Sequence, residues 1–284
     1  MNSGFALGAA AALAWGFADV IVTFYARRIG YLRALVVIHG LSLVPLALLA
    51  LVVEPPEPVT TGSLVSAAAL GPVAVVAYMG FYKALELGPI SIVSPIVSAF
   101  GAVVVLLALL VLGDSLTAVQ AFGCGLVLSC VVVASIETSG TDRAGATGIA
   151  LSLVACLAFG LYLFLQGELA DELGWLLPIL VSRVVAVLML GALLVAMPGD
   201  EPRDKLGLAG VAGCAATGAL EASAYLFFNR GAEIGEIALT GAAVSAYPVI
   251  PILVGLFALH ERVARHQLVG VAGVLAGMVV LALG

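Results

Sequence analysis

Four ionisable side chains lie inside long apolar stretches of this sequence and could support chemistry there: Asp19, His39, Arg183 and Glu221. Charged groups within an apolar segment that crosses a membrane are rare and usually face the interior of a helix bundle. We expect Arg183 and Glu221 to pair, because an unpaired charge at that depth would cost several kcal/mol. Such a pair would either lock two helices together or take part in binding a solute or a proton.

Asp19 and His39 occupy the first half of the chain. No cation lies on the helix face of Asp19, so a functional role is predicted for this carboxylate, with solvation at the mouth of a water-filled cavity as the alternative. His39 could relay protons near neutral pH, or be a buried histidine with satisfied hydrogen bonds. The charges thus divide into two sets at matched depth, Asp19 with His39 and Arg183 with Glu221.

Aromatic and hydroxyl side chains accompany these charges at helical spacing. Trp15 precedes Asp19 by four residues and Tyr225 follows Glu221 by four, so each pair shares one face of a helix. The predicted cavity residues are Trp15, Asp19, Tyr78, Tyr82, Ser94, Ser98, Glu221, Tyr225, Ser245 and Tyr247. The alternative is that serine and glycine only permit close contact between helices.

The helices that must position these residues are strongly apolar. Hydrophobic residues make up 63% of the 284-residue chain and charged residues 10%, against roughly 25% charged residues in soluble domains. A chain with so little charge cannot cover itself with a polar surface, so a lipid bilayer is its predicted surrounding. No basic run indicates nucleic acid, and the formal net charge of −6 says little about partners.

Ten apolar runs are each close to the roughly 20 residues that a helix needs to cross a bilayer. The runs span residues 4–24, 34–53, 63–82, 90–112, 117–136, 147–166, 175–197, 206–228, 237–259 and 264–283. Polar residues 137–146 are interpreted as a linker between the fifth and sixth runs. The predicted fold is therefore an all-α integral membrane protein with ten transmembrane helices.

The two halves of the chain repeat each other. A shift of 147 residues pairs Glu86 with Glu233, Asp114 with Glu261, Gln120 with Gln267, Phe100 with Tyr247 and Tyr78 with Tyr225. A shift of 144 residues pairs Trp15 with Phe159 and His39 with Arg183. Acids and glutamine are rare here, so these matches indicate an internal duplication. The predicted domains are residues 1–138 and residues 145–284. Each contains five spans, and because five is an odd number the second half enters the membrane from the opposite side, which makes the two halves inverted repeats.

The distribution of lysine and arginine over the loops predicts the orientation. Nine of the eleven basic residues flank one side of the predicted bundle, Arg230 flanks the other, and Arg183 lies within a run. The nine are Arg27, Arg28, Arg33, Lys83, Arg143, Arg203, Lys205, Arg262 and Arg265. Since basic loops stay in the cytoplasm, we expect a multi-pass protein of the cell membrane, of the bacterial inner-membrane type, with both termini outside.

Pro95 lies inside the fourth run, and Pro248 and Pro251 lie inside the ninth. Pro95, Pro248 and Pro251 would kink their helices, either as hinges or as static bends. The four cysteines lie in apolar runs without the spacing of metal ligands, and no tight catalytic cluster is present in the sequence. We therefore predict no disulfide, no metal site, no cofactor and no catalytic residue.

Several short motifs are characteristic of one family. The first half contains Ala14-Trp15-Gly16-Phe17, Phe81-Tyr82-Lys83-Ala84-Leu85 leading through Gly88-Pro89 to Ser94-Pro95, and an acid after the fourth run, Asp114. The second half repeats the pattern with Phe228-Asn229-Arg230-Gly231-Ala232, Gly235 and Glu261. Over nearly the whole chain these motifs resemble the EamA-like family, a branch of the drug/metabolite transporter superfamily. The resemblance implies a secondary transporter or exporter of small metabolites, with a cavity between helices one, three, four, six, eight and nine. At Leu161-Tyr162 the chain departs from the family pattern, so no substrate residue is carried over from there.

The leading hypothesis is a carrier that moves a small organic solute, amino acid-like or drug-like, by alternating access. Protons are a candidate coupling ion through Asp19 or Glu221. The main alternative is a lipid or polyprenyl-carrier translocase, which a slot open sideways to the bilayer would favour. A membrane enzyme is less favoured, and a receptor or scaffold would need longer loops. The protein is expected to be a monomer or a homodimer.

Overall fold

The computed structural model describes residues 3–54, 59–112, 117–135, 143–197, 206–235, 237–244, 247–261 and 264–283, and all secondary structure in these ranges is helical. The helices are α1 (Ser3–Ile29), α2 (Tyr31–Ala50), α3 (Thr61–Leu87), α4 (Ile90–Ser98), α5 (Phe100–Leu107), α6 (Ala118–Ser135), α7 (Arg143–Leu173), α8 (Leu177–Ala196), α9 (Leu208–Ile234), α10 (Ile237–Val244), α11 (Val249–Phe257) and α12 (Arg265–Leu283). A π-helical turn, Ala108–Leu112, continues α5. Among the described residues, seven helical segments are long and apolar enough to cross a membrane. The prediction of an all-helical membrane protein is confirmed.

Several helices continue beyond the apolar runs that predicted them. Residues 168–172 belong to α7 rather than to a loop, and Lys83 and Arg230 lie near the ends of α3 and α9 rather than in loops. A helix satisfies its backbone hydrogen bonds internally, and long charged side chains reach the polar boundary, so helices can extend past the hydrocarbon. Of the predicted linker, residues 143–146 already belong to α7, and residues 137–142 lie outside the described residues.

The predicted fourth and ninth spans are interrupted near their prolines, whereas Pro45 of α2 and Pro72 of α3 lie inside continuous helices. Ala99 separates α4 from α5, four residues after Pro95. The Pro95 carbonyl, which would accept the Ala99 N–H in a regular helix, instead accepts the Ser98 hydroxyl at 2.7 Å. In the second half α11 begins directly after Pro248, and Pro251 lies in its first turn. That these bends act as hinges stays a prediction.

Equivalent helices of the two halves pack in the same way. α1 packs along α9 as α7 packs along α3, and α2 contacts α9 as α8 contacts α3. A Cβ on Gly16 of α1 would lie 2.8 Å from the Tyr247 carbonyl oxygen. A Cβ on Gly160 of α7, 144 residues later, would lie 3.2 Å from the Phe100 carbonyl oxygen. Each half therefore places a small residue of its first helix against the interrupted span of the other half.

A glycine with positive φ directly follows the first helix of each half. Gly30 lies between α1 and α2 with a φ of 86°, and Gly174 lies between α7 and α8 with a φ of 72°. Both values fall in the left-handed region, which glycine enters without steric cost. The two glycines are 144 residues apart, so the duplication preserves the positive φ at this position, although one residue joins α1 to α2 and three join α7 to α8.

Candidate functional site

Three of the four buried ionisable residues form one cluster. Arg183 of α8 donates from Nη1 to Glu221 Oε2 of α9 at 3.4 Å, which confirms the predicted pair. His39 of α2 lies 3.0 Å from the same carboxylate oxygen through Nδ1, and it also contacts Arg183. Grouping His39 with Asp19 in one depth-matched set is therefore wrong. The packing of α2 against α8 instead brings His39 into contact with Arg183, its equivalent in the other repeat.

Three tyrosines complete the hydrogen bonds of this central cluster. Tyr82 donates to Glu221 Oε1 at 2.7 Å. Arg183 Nη2 donates to the Tyr78 hydroxyl at 3.0 Å, and Tyr78 in turn donates to Tyr225 at 2.7 Å. The guanidinium carbon of Arg183 lies 5.2 and 5.3 Å from the ring centroids of Tyr78 and Tyr225, within the range of cation–π attraction. These contacts offset much of the cost of burying an ion pair.

Residues that are equivalent in the two halves touch each other in the central cluster. His39 contacts Arg183, and Tyr78 contacts Tyr225. Two equivalent residues can meet only where the two copies meet, so the cluster lies on the seam between them. Within the described residues, His39 Nε2 and Arg183 Nε are buried without a hydrogen-bond partner. Buried polar atoms of this kind are usually satisfied by water or a ligand.

Asp19 stands apart from the central cluster. Its side chain is 4% exposed, and its carboxylate accepts one long hydrogen bond, from Ser94 Oγ of α4 at 3.4 Å. None of the ion pairs found between described residues involves the Asp19 carboxylate. Asp19 is therefore a buried acid whose charge the surrounding described side chains do not balance.

A small cavity lies between Asp19 and Glu221. It is lined by Trp15, Asp19, Tyr78, Phe81, Val97, Phe100, Phe159, Leu163, Glu221, Tyr225 and Tyr247. The Trp15 ring lies 4.8 Å from Tyr225 and 6.0 Å from Phe100, both edge to face, and Phe100 stacks on Tyr247 at 5.8 Å. The cavity encloses about 30 Å³, close to the volume of one water in the liquid. In this conformation it is a narrow aromatic space between two acids.

Most of the predicted cavity residues converge here. Six line the cavity directly: Trp15, Asp19, Tyr78, Glu221, Tyr225 and Tyr247. Tyr82 and Ser94 lie behind it and bond the two acids. Ser98 bonds the carbonyl of Pro95 in its own helix and does not line the cavity, and Ser245 lies outside the described residues.

The sequence interpretation missed the phenylalanines of the cavity wall. Phe81, Phe100 and Phe159 line it. Two of them are repeat equivalents of predicted residues, since Phe159 corresponds to Trp15 and Phe100 to Tyr247. The duplication therefore contained the signal for these two. Phe81 had no such signal, because a phenylalanine in an apolar helix is expected on any face.

A set of polar contacts, called the latch below, joins the two halves at the end of α1. It consists of Glu261, Arg27 and the backbone and side chain of the first residues of α4. The Glu261 carboxylate, from the turn after α11, accepts hydrogen bonds from Ile90 N at 3.1 Å, Ser91 N at 3.0 Å and Ser91 Oγ at 2.7 Å. It therefore caps the N-terminus of α4, where a negative charge is stabilised by the free amide groups. Arg27 Nη2 lies 3.4 Å from Glu261 and donates to the Gly88 carbonyl at 2.7 Å.

An open groove lies beside this latch. It has a volume of about 470 Å³ and is lined by Val20, Thr23, Phe24, Arg27, Arg28, Ile90, Val254 and Leu259. Thr23 is one helical turn from Asp19, and its hydroxyl donates to the Asp19 backbone carbonyl at 2.8 Å. The groove thus approaches the central cavity from the end of the bundle that carries Arg27 and Arg28.

A second polar network links α7, α8 and α9 on the other side of the central cluster. Gln166 Nε2 donates to Ser182 Oγ at 2.9 Å, and Asn229 Nδ2 donates to Gln166 Oε1 at 3.1 Å and to the Trp175 carbonyl at 3.0 Å. Tyr162 also bonds Ser182, at 2.9 Å. These hydrogen bonds hold α7, α8 and α9 together.

Comparison with known proteins identifies the family of this chain. The model of the EamA-like transporter family matches residues 2–136 and 146–283, one match for each half of the chain. No curated protein matches the chain. A protein crystal structure is similar in fold, with a TM-score of 0.66 and 19% identity over 99% of this chain and 96% of that chain. The family consists of transporters, which agrees with the prediction that this protein is no enzyme. The chain belongs to the EamA-like transporter family.

Proposed function

We propose that this protein is a secondary transporter that moves a small organic solute across the cell membrane by alternating access. The observation that carries the proposal is the small cavity on the seam of the two halves, with Asp19 and Glu221 in its wall. Buried acids inside an apolar bundle are costly and are typical of transport pathways. A site between repeats, at the depth of the bilayer centre, is also typical of secondary transporters.

The proposed architecture has ten spans in two inverted repeats. α4 with α5 form one span, and α10 with α11 form another. Five spans per half reverse the direction of the second half, so the basic loops would share the cytoplasmic side and both termini would lie outside. Alkaline phosphatase fused to either terminus should be active in intact cells, because this enzyme requires the outer side. Activity at only one terminus would contradict an even number of spans.

The proposed transport cycle follows from the size of the cavity. A space of about 30 Å³ is far smaller than the roughly 300 Å³ of a ligand pocket, so the described conformation is closed around its centre. Opening would require α1, α4 and α11 to separate at the groove. The interruption at Ala99, and the one that precedes Val249, lie where such helices could bend.

Transport of radiolabelled solutes into proteoliposomes tests the proposal. The panel should contain amino acids, amines, nucleosides and sugars, each with and without an imposed proton gradient. We expect at least one solute to accumulate, and Asp19→Asn or Glu221→Gln to reduce its rate at least tenfold. Asp171→Asn removes an exposed carboxylate at the end of α7 and should leave the rate unchanged. A solute rate that responds to the gradient in the wild type but not in Asp19→Asn would assign proton coupling to Asp19.

The groove beside the latch favours a second candidate, a lipid or polyprenyl-carrier translocase. Phe24 and Leu259 line the groove and are themselves exposed, 55% and 47%, so its wall continues into the surface that faces lipid. Arg27 and Arg28 would suit an anionic headgroup there. Transfer of a fluorescent phospholipid between leaflets of the same proteoliposomes, without accumulation of any soluble solute, would support this candidate over the first.

A further inference from the structure

The two acids of the central cavity differ in their charge balance. Glu221 faces Arg183 at 3.4 Å and His39 at 3.0 Å. Asp19 accepts a single side-chain hydrogen bond, from Ser94 at 3.4 Å, beyond the usual upper limit of about 3.0 Å for a bond between two oxygens. An ionised carboxylate without a cation is expensive to bury. A ligand that brings a positive charge to Asp19 would remove that cost.

The walls of the cavity suit the same kind of ligand. Seven of its eleven lining residues are aromatic: Trp15, Tyr78, Phe81, Phe100, Phe159, Tyr225 and Tyr247. The planes of Trp15 and Phe100 meet at 77°, and those of Trp15 and Tyr225 at 86°, whereas Phe100 and Tyr247 stack on each other, so the rings enclose the space from several directions, as the walls of a box do. The faces of aromatic rings carry partial negative charge and attract organic cations, tryptophan most strongly.

The described cavity offers no matching site for a carboxylate group. Arg183 does not line it. Its guanidinium lies beside the Tyr78 and Tyr225 rings and is already paired with Glu221. A zwitterionic solute would therefore bring a carboxylate into a space where the one cation near the described lining residues, Arg183, already pairs with Glu221 and where the Asp19 carboxylate is not balanced.

We propose that the central cavity binds an organic ammonium cation, with the charged nitrogen at Asp19 and the alkyl groups against the aromatic box. This inference rests on the proposed transport function and names the chemical class of its solute. The described cavity is too small to hold such a cation, so the ligand binds once the box has widened. Ser94 and Phe100 lie on either side of the α4–α5 interruption, so a bend there would move Ser94 away from Asp19 and widen the wall.

Calorimetric titration of the purified protein in detergent tests the proposal with chosen probes. Choline and tetramethylammonium are the cations, and 3,3-dimethylbutan-1-ol is the uncharged isostere of choline. We expect choline to bind at least about tenfold more tightly than the isostere, because a desolvated charge-assisted contact contributes about that factor or more. Equal affinity for choline and its isostere would overturn the proposal.

Three variants distinguish the effect of the Asp19 charge on binding from a general loss of packing in the cavity. Asp19→Asn should weaken choline about 10- to 100-fold and leave the isostere nearly unchanged. Trp15→Leu should lower the ratio of choline affinity to isostere affinity, a ratio in which a general loss of packing cancels. Asp171→Asn, the exposed control, should change neither affinity. A ratio that is unchanged in both Asp19→Asn and Trp15→Leu would overturn the assignment of the cation to this cavity.

Failure of this inference is distinguishable from failure of the proposed function. If proteoliposomes accumulate amino acids or sugars but the protein binds and moves neither choline nor tetramethylammonium, the transport function stands and the assignment of an organic ammonium cation is wrong. If choline binds in an Asp19-dependent way and no soluble solute is moved under any gradient, the ammonium site stands and the transport function is wrong.

Discussion

Removing the charges of Glu221 and Arg183, singly and together, tests whether these two residues stabilise the protein as a pair. Glu221→Gln and Arg183→Gln keep a polar side chain of similar reach while deleting one charge each. Both parent side chains are almost fully buried, with 6% and 0% of their area exposed. Each single variant therefore leaves the partner charge enclosed in the bundle, whereas the double variant leaves neither.

The separation of the charges sets the expected size of the effect. Two unit charges 3.4 Å apart attract by about 5 kcal/mol at an effective dielectric constant of about 20. Breaking a buried pair from one side costs about 3–5 kcal/mol, because the remaining charge is uncompensated. His39 and Tyr82 still contact Glu221 when Arg183 is removed, which lowers the cost of that variant. We expect each single change to destabilise by about 3 kcal/mol and the double change by little more, a coupling of about 2–3 kcal/mol.

Equilibrium unfolding in mixed detergent micelles measures these free energies. A matched control is the pair of Arg230 and Glu233, which lie 2.5 Å apart with 46% and 25% of their side chains exposed. The same cycle on that pair should give a coupling of about 0.5 kcal/mol or less, since exposed ion pairs contribute little. Losses at Arg183 and Glu221 that add within about 0.5 kcal/mol would refute the reasoning, because uncoupled residues behave in that way.

Three further changes test other features of the structure. Glu261→Gln should destabilise the protein by about 1 kcal/mol in the same unfolding assay, because it removes the charge that caps α4; an unchanged stability would mean that the latch is not needed. Gly16→Ala should destabilise by about 1–3 kcal/mol, because the new Cβ would lie 2.8 Å from a backbone oxygen. Gly40→Ala is its control, since no atom lies within 4 Å of that position, and it should be neutral or stabilising; equal losses at both sites would contradict the packing argument. Pro95→Ala should slow solute flux while leaving solute affinity within about twofold if the α4–α5 bend is a hinge, and an unchanged flux would make it a static bend.

The sequence by itself determined the surroundings of the protein and its internal duplication. Composition alone required lipid contact, and the spacing of rare residues revealed the repeat. Because acids and bases are so costly in an apolar bundle, the sequence also predicted that Arg183 and Glu221 would pair. The same argument identified Asp19 as a buried acid. These inferences depend on residue type and position along the chain, which a sequence contains in full.

Tertiary structure alone decided which side chains meet across helices. The contact of His39 with Arg183 and the place of Phe81 in the cavity wall depend on how each helix is rotated about its axis. The capping of α4 by Glu261 depends on where the turn after α11 lies against the other half. In a soluble protein an apolar stripe reveals that rotation, because the opposite face is polar. Here both the lipid-facing and the buried faces are apolar, so the pattern of hydrophobic residues carries little information about rotation. The packing of small residues such as Gly16 against neighbouring backbones sets it instead.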